Sequence, residues 1–288
     1  MIPSGVRYLR RKVVNGVLLS LSAVSALFGL VFLVWILREV VLRGARALDW
    51  AFFTQLPAPP GVAAGGMANA LVGTLLITLL AVLLGVPTGI LAGTYLAEYG
   101  RKNPLARAVR FVSDVLSSSP SIVVGVFVYA ILVKPLGSFS GLSGAVALAI
   151  LMVPVVTRTS EEMLRLVPDT LREAALALGA PQWKVIVAIC YRRVLGGLAT
   201  GVLLAVARVS GETAPLLFTA LNNPYWNWNP LKPTGTLNVT LFNYAMSPYN
   251  DWRAQAWGAA FLITLFVLVV TILARIVVSR TQTGRTLS

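Results

Sequence analysis

Residues 68–96 read ANALVGTLLITLLAVLLGVPTGILAGTYL, without one Asp, Glu, Lys or Arg. At about 1.5 Å rise per residue, a helix of this length exceeds the roughly 30 Å hydrocarbon core of a bilayer. Working outward, five more apolar runs lie between charges, at residues 14–37, 115–133, 142–156, 195–218 and 257–276. Together they predict an all-α membrane protein with six transmembrane helices. The third run opens on Ser117, Ser118, Ser119 and Pro120, and the fourth is short.

Composition agrees with this reading. Of 288 residues, 57% are hydrophobic and 12% charged, with a mean hydropathy of +0.80, where a soluble domain carries about 25% charged residues. The net charge of +14 suits either a nucleic-acid partner or the cytoplasmic loops of a membrane protein, and topology decides between them. The chain has no His, which excludes imidazole bases, His-ligated zinc and His-containing triads. Cys190 is the single cysteine, so neither an intrachain disulfide nor a cysteine metal cluster can form. No metal and no cofactor is expected, and no catalytic residue.

The first run follows Arg7, Arg10, Arg11 and Lys12, and Val24-Ser25-Ala26 has the form of a signal cleavage site. The apolar stretch continues to Leu37, which favours a retained signal anchor. With the amino terminus inside, the cytoplasmic Lys and Arg are those four, then Arg101, Lys102, Arg107 and Arg110. The next inside segment holds Arg158, Arg165, Arg172, Lys184, Arg192 and Arg193, and the tail holds Arg275, Arg280 and Arg285. These seventeen face six outside, namely Arg38, Arg43, Arg46, Lys134, Lys232 and Arg253. The excess predicts both termini in the cytoplasm, and its dispersal beside helix ends argues against nucleic acid.

No repeat at a 20 to 50 residue period, low-complexity tract or long linker divides the chain. No Gly-Lys pair exists for a Walker A phosphate loop, so uphill transport would need a gradient or another subunit. Gly85, Gly89 and Gly93, with Pro87 between, share one helix face and let a neighbouring backbone approach, as do Gly197 and Gly201. Packing is the first expectation for this face and pore lining the second.

The longest cytoplasmic connection, residues 158–193, is punctuated like short helices joined by turns. Thr159 with Glu162 and Thr170 with Glu173 each fit a capping box, and Pro168 separates the two helices. The second helix, about residues 169–178, should end at Gly179 in a left-handed cap, with Pro181 beyond it. Its Glu173-Ala174-Ala175 and Ala177 leave a narrow surface. A docking element for another protein and a loop lying on the inner membrane surface both fit.

Glu173-Ala174-Ala175, Gly179 and Ile189 resemble, in identity and spacing, the EAA loop of ABC importer permeases. Such a loop inserts into a cleft of the ATPase subunit, so the resemblance implies docking through Glu173, Ala174, Ala175 and Gly179. The family usually continues with Leu-Pro two residues after the Ile. This chain has Tyr191-Arg192, which bears on the turn into the next span and not on docking.

The fifth run contains Arg208-Val209-Ser210-Gly211-Glu212-Thr213-Ala214-Pro215-Leu216-Leu217-Phe218. Charges in a membrane helix are costly and face a bundle interior, a partner or a polar path. Spaced by four, Arg208 and Glu212 would share a helix face and could pair. A structural ion pair is one reading; an oxyanion path using the guanidinium fork is the other. The stretch is similar to the GET-A-P-L-L-F signature of phosphate-specific ABC permeases of the PstA type. Thr94-Tyr95-Leu96-Ala97-Glu98-Tyr99, Pro120-Ser121-Ile122-Val123-Val124-Gly125 and Phe242-Asn243-Tyr244-Ala245 agree with it. The likeness spans roughly residues 65–280 and implies a substrate path through Arg208 and Glu212.

The outer segment, residues 222–251, is rich in Trp, Tyr, Asn and Pro, including Tyr225, Trp226 and Trp228. An interfacial aromatic belt is expected there, with a surface for an extracytoplasmic binding protein or a lid as the alternative. Lys134 and Lys232 read as ordinary loop charges. The resemblance implies a type I ABC importer permease fold in three parts: residues 1–64 with the first helix, 65–280 as the permease domain carrying the coupling loop, and a tail at 281–288. It implies a non-enzymatic subunit that translocates inorganic phosphate. The implied partners are a second homologous permease subunit, a dimer of cytoplasmic ATP-binding subunits, an extracytoplasmic phosphate-binding protein and the lipid bilayer, with no nucleic acid. Sulfate or molybdate as cargo, an unenergised channel and a membrane scaffold are the alternatives.

Overall fold

The computed structural model describes residues 4–62, 65–100 and 103–283, which are mostly helical with no strand among them. Arg101, Lys102 and Arg285 of the charge count lie outside the described residues, as does the side chain of Arg280. Five helices are long and apolar enough to cross a membrane, or six if one sharply bent pair counts as a single span.

Helix α1, Ser4–Ala47, is a single rod whose apolar residues stand exposed over most of its length. It meets the bundle near its carboxyl end, where a Cβ on Gly44 would press on the Phe261 side chain and come within 2.7 Å of the Trp257 carbonyl. A short α2, Trp50–Thr54, is capped by Asp49, whose carboxylate accepts from the Phe52 amide at 2.7 Å. Helix α3, Ala68–Thr94, continues through a π-turn at Tyr95–Tyr99.

The expected third span is two helices. Helix α4, Pro104–Ser118, ends where Ser118 and Ser119 return their hydroxyls to the Val115 carbonyl. Helix α5, Ser121–Val128, continues through a π-turn into α6, Lys134–Leu136, and the two parts of the pair are bent by 108°. Pro120 has no amide to donate and drives Ser119 into extended backbone, so one straight helix over 115–133 is impossible.

The fourth run is longer than expected. Helix α7, Gly141–Arg165, takes Pro154 into its interior and continues past Thr159 and Glu162. That pair therefore sits mid-helix and is no capping box; Glu162 instead accepts from Arg158 at 3.1 Å. Helix α8, Asp169–Ala177, follows Pro168. Pro168 occupies the cap and no side chain bonds a free amide there, so Thr170 and Glu173 form no capping box either. Gly179 is left-handed at φ 81°, and the Ala180 amide reaches the Ala175 carbonyl, as the glycine cap predicts.

Helix α9, Gln182–Val185, runs through a π-turn into α10, Tyr191–Ser210. Tyr191 makes no turn into the span; its hydroxyl meets the Thr94 hydroxyl at 2.7 Å and ties α10 to the end of α3. The fifth run is broken after Ser210, leaving α11, Ala214–Thr219, as a separate piece. Helix α12, Leu237–Ala245, and the long α13, Asn250–Thr283, complete the bundle.

The core lies between α3 and α7. Cβ atoms on Gly85, Gly89 and Gly93 would come within 3.2, 2.7 and 2.5 Å of Met152, Val156 and Ser160 side chains. The glycine face is thus a packing seam. Ile77, Leu148, Met152, Val156, Val209, Leu216 and Val239 fill the same cluster, so α10, α11 and α12 are seated on that seam.

Candidate functional site

The break in the fifth run has a cause in its own sequence. Pro215 lacks an amide, and in a continuous helix its ring would strike the carbonyl of Gly211. The chain leaves helical geometry over residues 211–213 and restarts at Ala214, with Pro215 in the first turn of α11 where it costs nothing.

Neighbouring helices hold this break in place. A Cβ on Gly125 of α5 would lie 2.6 Å from the Pro215 Cα, so α11 rests on α5 backbone to backbone. The Thr219 and Ala220 carbonyls accept from the Ser140 and Thr234 amides. On the other side, Asn238 of α12, 3% exposed, donates its amide to the Ser210 carbonyl at 2.9 Å and the Glu212 carbonyl at 2.8 Å. Those are acceptors that the broken helix frees, and buried carbonyls left without donors are costly. Sequence reasoning missed Asn238, because its partners lie 28 and 26 residues earlier and no local pattern marks it.

Arg208 lies in the last turn of α10 and Glu212 in the non-helical link. The shared helix face expected from their spacing does not exist, because the helix ends between them. Neither side chain makes an ion pair or hydrogen bond with any described residue. Their signs suit their places, cation at the carboxyl end of α10 and anion ahead of α11. Arg208 is exposed on this single chain while Ala205, Ala207 and Val209 beside it are buried. The arrangement offers five unspent donors at a helix break flanked by apolar side chains.

The second candidate element is at the far end of α3. Glu173, Ala174 and Gly179 are exposed on and beside α8, while Ala175 is 8% exposed against the bundle. Leu178, 89% exposed, and Trp183, 64% exposed, flank them, an apolar surface of the kind that marks a protein contact.

Arg172 fixes this helix to the bundle. Its guanidinium reaches the two Glu98 oxygens at 2.7 and 3.1 Å and donates to the Leu164 and Val167 carbonyls at the end of α7. The Arg172 and Glu98 side chains are 12% and 6% exposed. Burial works against the Arg172 charge, yet the hydrogen bond and charge of Glu98 more than offset it and hold the guanidinium pKa above its ordinary value. Beside it, Arg110 of α4 pairs with Glu161 of α7 at 2.8 Å. From the sequence alone, Arg172 and Arg110 read only as topology charges.

The outer segment is a self-bonded loop. Asn223 and Asn227 both donate to the Pro233 carbonyl, and the Trp226 and Trp228 rings stack with centroids 6.1 Å apart. Tyr225 and Trp228 remain exposed.

Residues 85–283 match the family described as binding-protein-dependent transport system inner membrane component. The chain is 51% identical to the phosphate transport system permease protein PstA of Yersinia pestis, over 94% of this chain and 92% of that one. It is likewise 51% identical to PstA of Haemophilus influenzae, over 94% and 96%. Among solved structures it resembles a chain of a bacterial alginate ABC transporter, with TM-score 0.62 and 13% identity over 93% and 96% of the two chains.

Proposed function

This chain belongs to the binding-protein-dependent transport system inner membrane components, among the PstA phosphate permeases, and on that premise we propose that it passes inorganic phosphate along the α10–α11 break. It is a multi-pass subunit of the cytoplasmic membrane and not an enzyme. The observation that carries the proposal is Arg208, a guanidinium with no carboxylate partner among the described residues, beside a helix break in an apolar bundle. A charge so placed is stabilised by a passing anion, and a planar fork of donors matches phosphate oxygens.

Glu212, one link beyond, lowers the net attraction so that the anion can leave; conduction needs binding that is favourable but weak. The exposed face carrying Arg208 is where a second permease subunit would close the path. A dimer of ATP-binding subunits would grip Glu173, Ala174, Ala175 and Gly179. Closure there would reach the span through the Arg172–Glu98 pair, which ties α8 to the π-turn that follows α3. Phosphate would arrive from a binding protein seated over the loop that bears Tyr225 and Trp228. The excess of Lys and Arg on the α8 side supports both termini in the cytoplasm.

Cargo is tested by ATP-driven uptake of radiolabelled phosphate with unlabelled competitors. Arsenate, a close mimic, should compete, while sulfate and molybdate in excess should leave uptake unchanged. Equal competition by sulfate would make the path one for oxyanions in general.

A further inference from the structure

At the end of the bundle opposite α8, the carboxyl end of α1 and the amino end of α13 converge beside α12. Between them is an open cleft of about 740 Å³. Three arginines line it, Arg43, Arg46 and Arg253, and none of the described residues that line it is acidic. The rest of its wall is largely carbon, from Leu241, Trp257 and alanines of α12 and α13.

The arginines are only partly engaged. Arg43 shares Glu39 with Arg38, and its guanidinium lies 5.2 Å from the centre of the Trp257 ring. Arg253 donates to the Asn250 side chain and the Pro248 carbonyl. Arg46 makes no hydrogen bond or ion pair with any described residue. Such a group of cations over an apolar floor, with a tryptophan at the rim, demands an anion that also carries hydrocarbon.

We propose that this cleft binds one anionic phospholipid, its phosphodiester held by Arg43, Arg46 and Arg253. Its acyl chains would lie on apolar residues of α1 and α13 outside the cleft, among them Leu37, Val41 and Phe266, all more than 40% exposed. A free phosphate ion would answer the charge but leave the carbon walls wet.

The test is native mass spectrometry of the full-length chain in its transporter complex, released from nanodiscs of mixed phosphatidylglycerol and phosphatidylcholine. The wild type should retain one phosphatidylglycerol. The Arg46→Gln, Arg253→Gln variant should retain it about 25-fold more weakly, roughly fivefold for each arginine removed. Arg38→Gln, outside the cleft, should behave as wild type. Ala245→Phe keeps all three arginines and fills the cleft, so it should also lose the lipid. Retention undiminished in both cleft variants overturns the proposal, as does displacement of the lipid by excess inorganic phosphate, which would assign the cleft to the free ion.

Discussion

Arg208 and Asn238 divide one task at the residue scale. Arg208 offers charge and donors that nothing else in the described chain uses, and Asn238 holds the backbone that aims them. The two Asn238 bonds, 2.9 and 2.8 Å long, bridge the last carbonyl of α10 and the link to α11. Asn238→Ala leaves two buried acceptors without donors, at about 1–3 kcal/mol for each. The expected outcome is a lower unfolding midpoint for the purified complex and a raised KM for phosphate, since the link that carries Glu212 is then free to shift. Asn238→Leu, which keeps most of the bulk and offers no donor, should be no better than Ala. An unchanged KM in both variants would show that the amide only stabilises.

Elements separate what a sequence displays from what only folding creates. The apolar runs, the glycine seam and the cap at Gly179 were legible because each is written within one or two helical turns. The break at Gly211 was also written, in Pro215 four residues later, but a hydrophobic run spoke louder than a single proline. The Arg172–Glu98 contact was not legible at all. Its partners are 74 residues apart, and a basic residue near a helix end looks the same whether it sets topology or ties two helices. The two capping boxes failed for a related reason: α7 had enough packing to run through the first, and Pro168 already began the helix that carries the second. These elements predict two distinguishable lesions. Glu173→Lys, on the exposed face of α8, should weaken capture of the ATP-binding subunit about tenfold, or ~1.4 kcal/mol, measured by co-purification. Arg172→Gln strands the buried Glu98 at a cost of about 3–5 kcal/mol. It should leave the ATPase bound while uptake per ATP hydrolysed falls. Equal loss of capture in both variants would refute separate docking and transmission.

On the scale of the whole molecule, import needs α8 inside and the aromatic loop outside. Cys190 is fully buried, so new cysteines report without a strong background. A membrane-impermeant maleimide applied to spheroplasts should label Tyr225→Cys and spare Leu178→Cys until the membrane is opened; the reverse pattern would invert the topology. With that orientation the molecule would work as half of a conduit, as proposed: a glycine-packed pair, α3 and α7, as its frame, a docking helix pinned to one end and a broken helix presenting one guanidinium that no described residue pairs. The claim on which the rest depends is that phosphate passes Arg208. ATP-driven uptake of radiolabelled phosphate into proteoliposomes bearing the complete transporter tests it most directly. Arg208→Ala should assemble normally and take up phosphate about 10- to 100-fold more slowly, the loss expected for hydrogen bonds to a charged group, with Arg208→Lys in between. Uptake by Arg208→Ala at the wild-type rate would contradict the account.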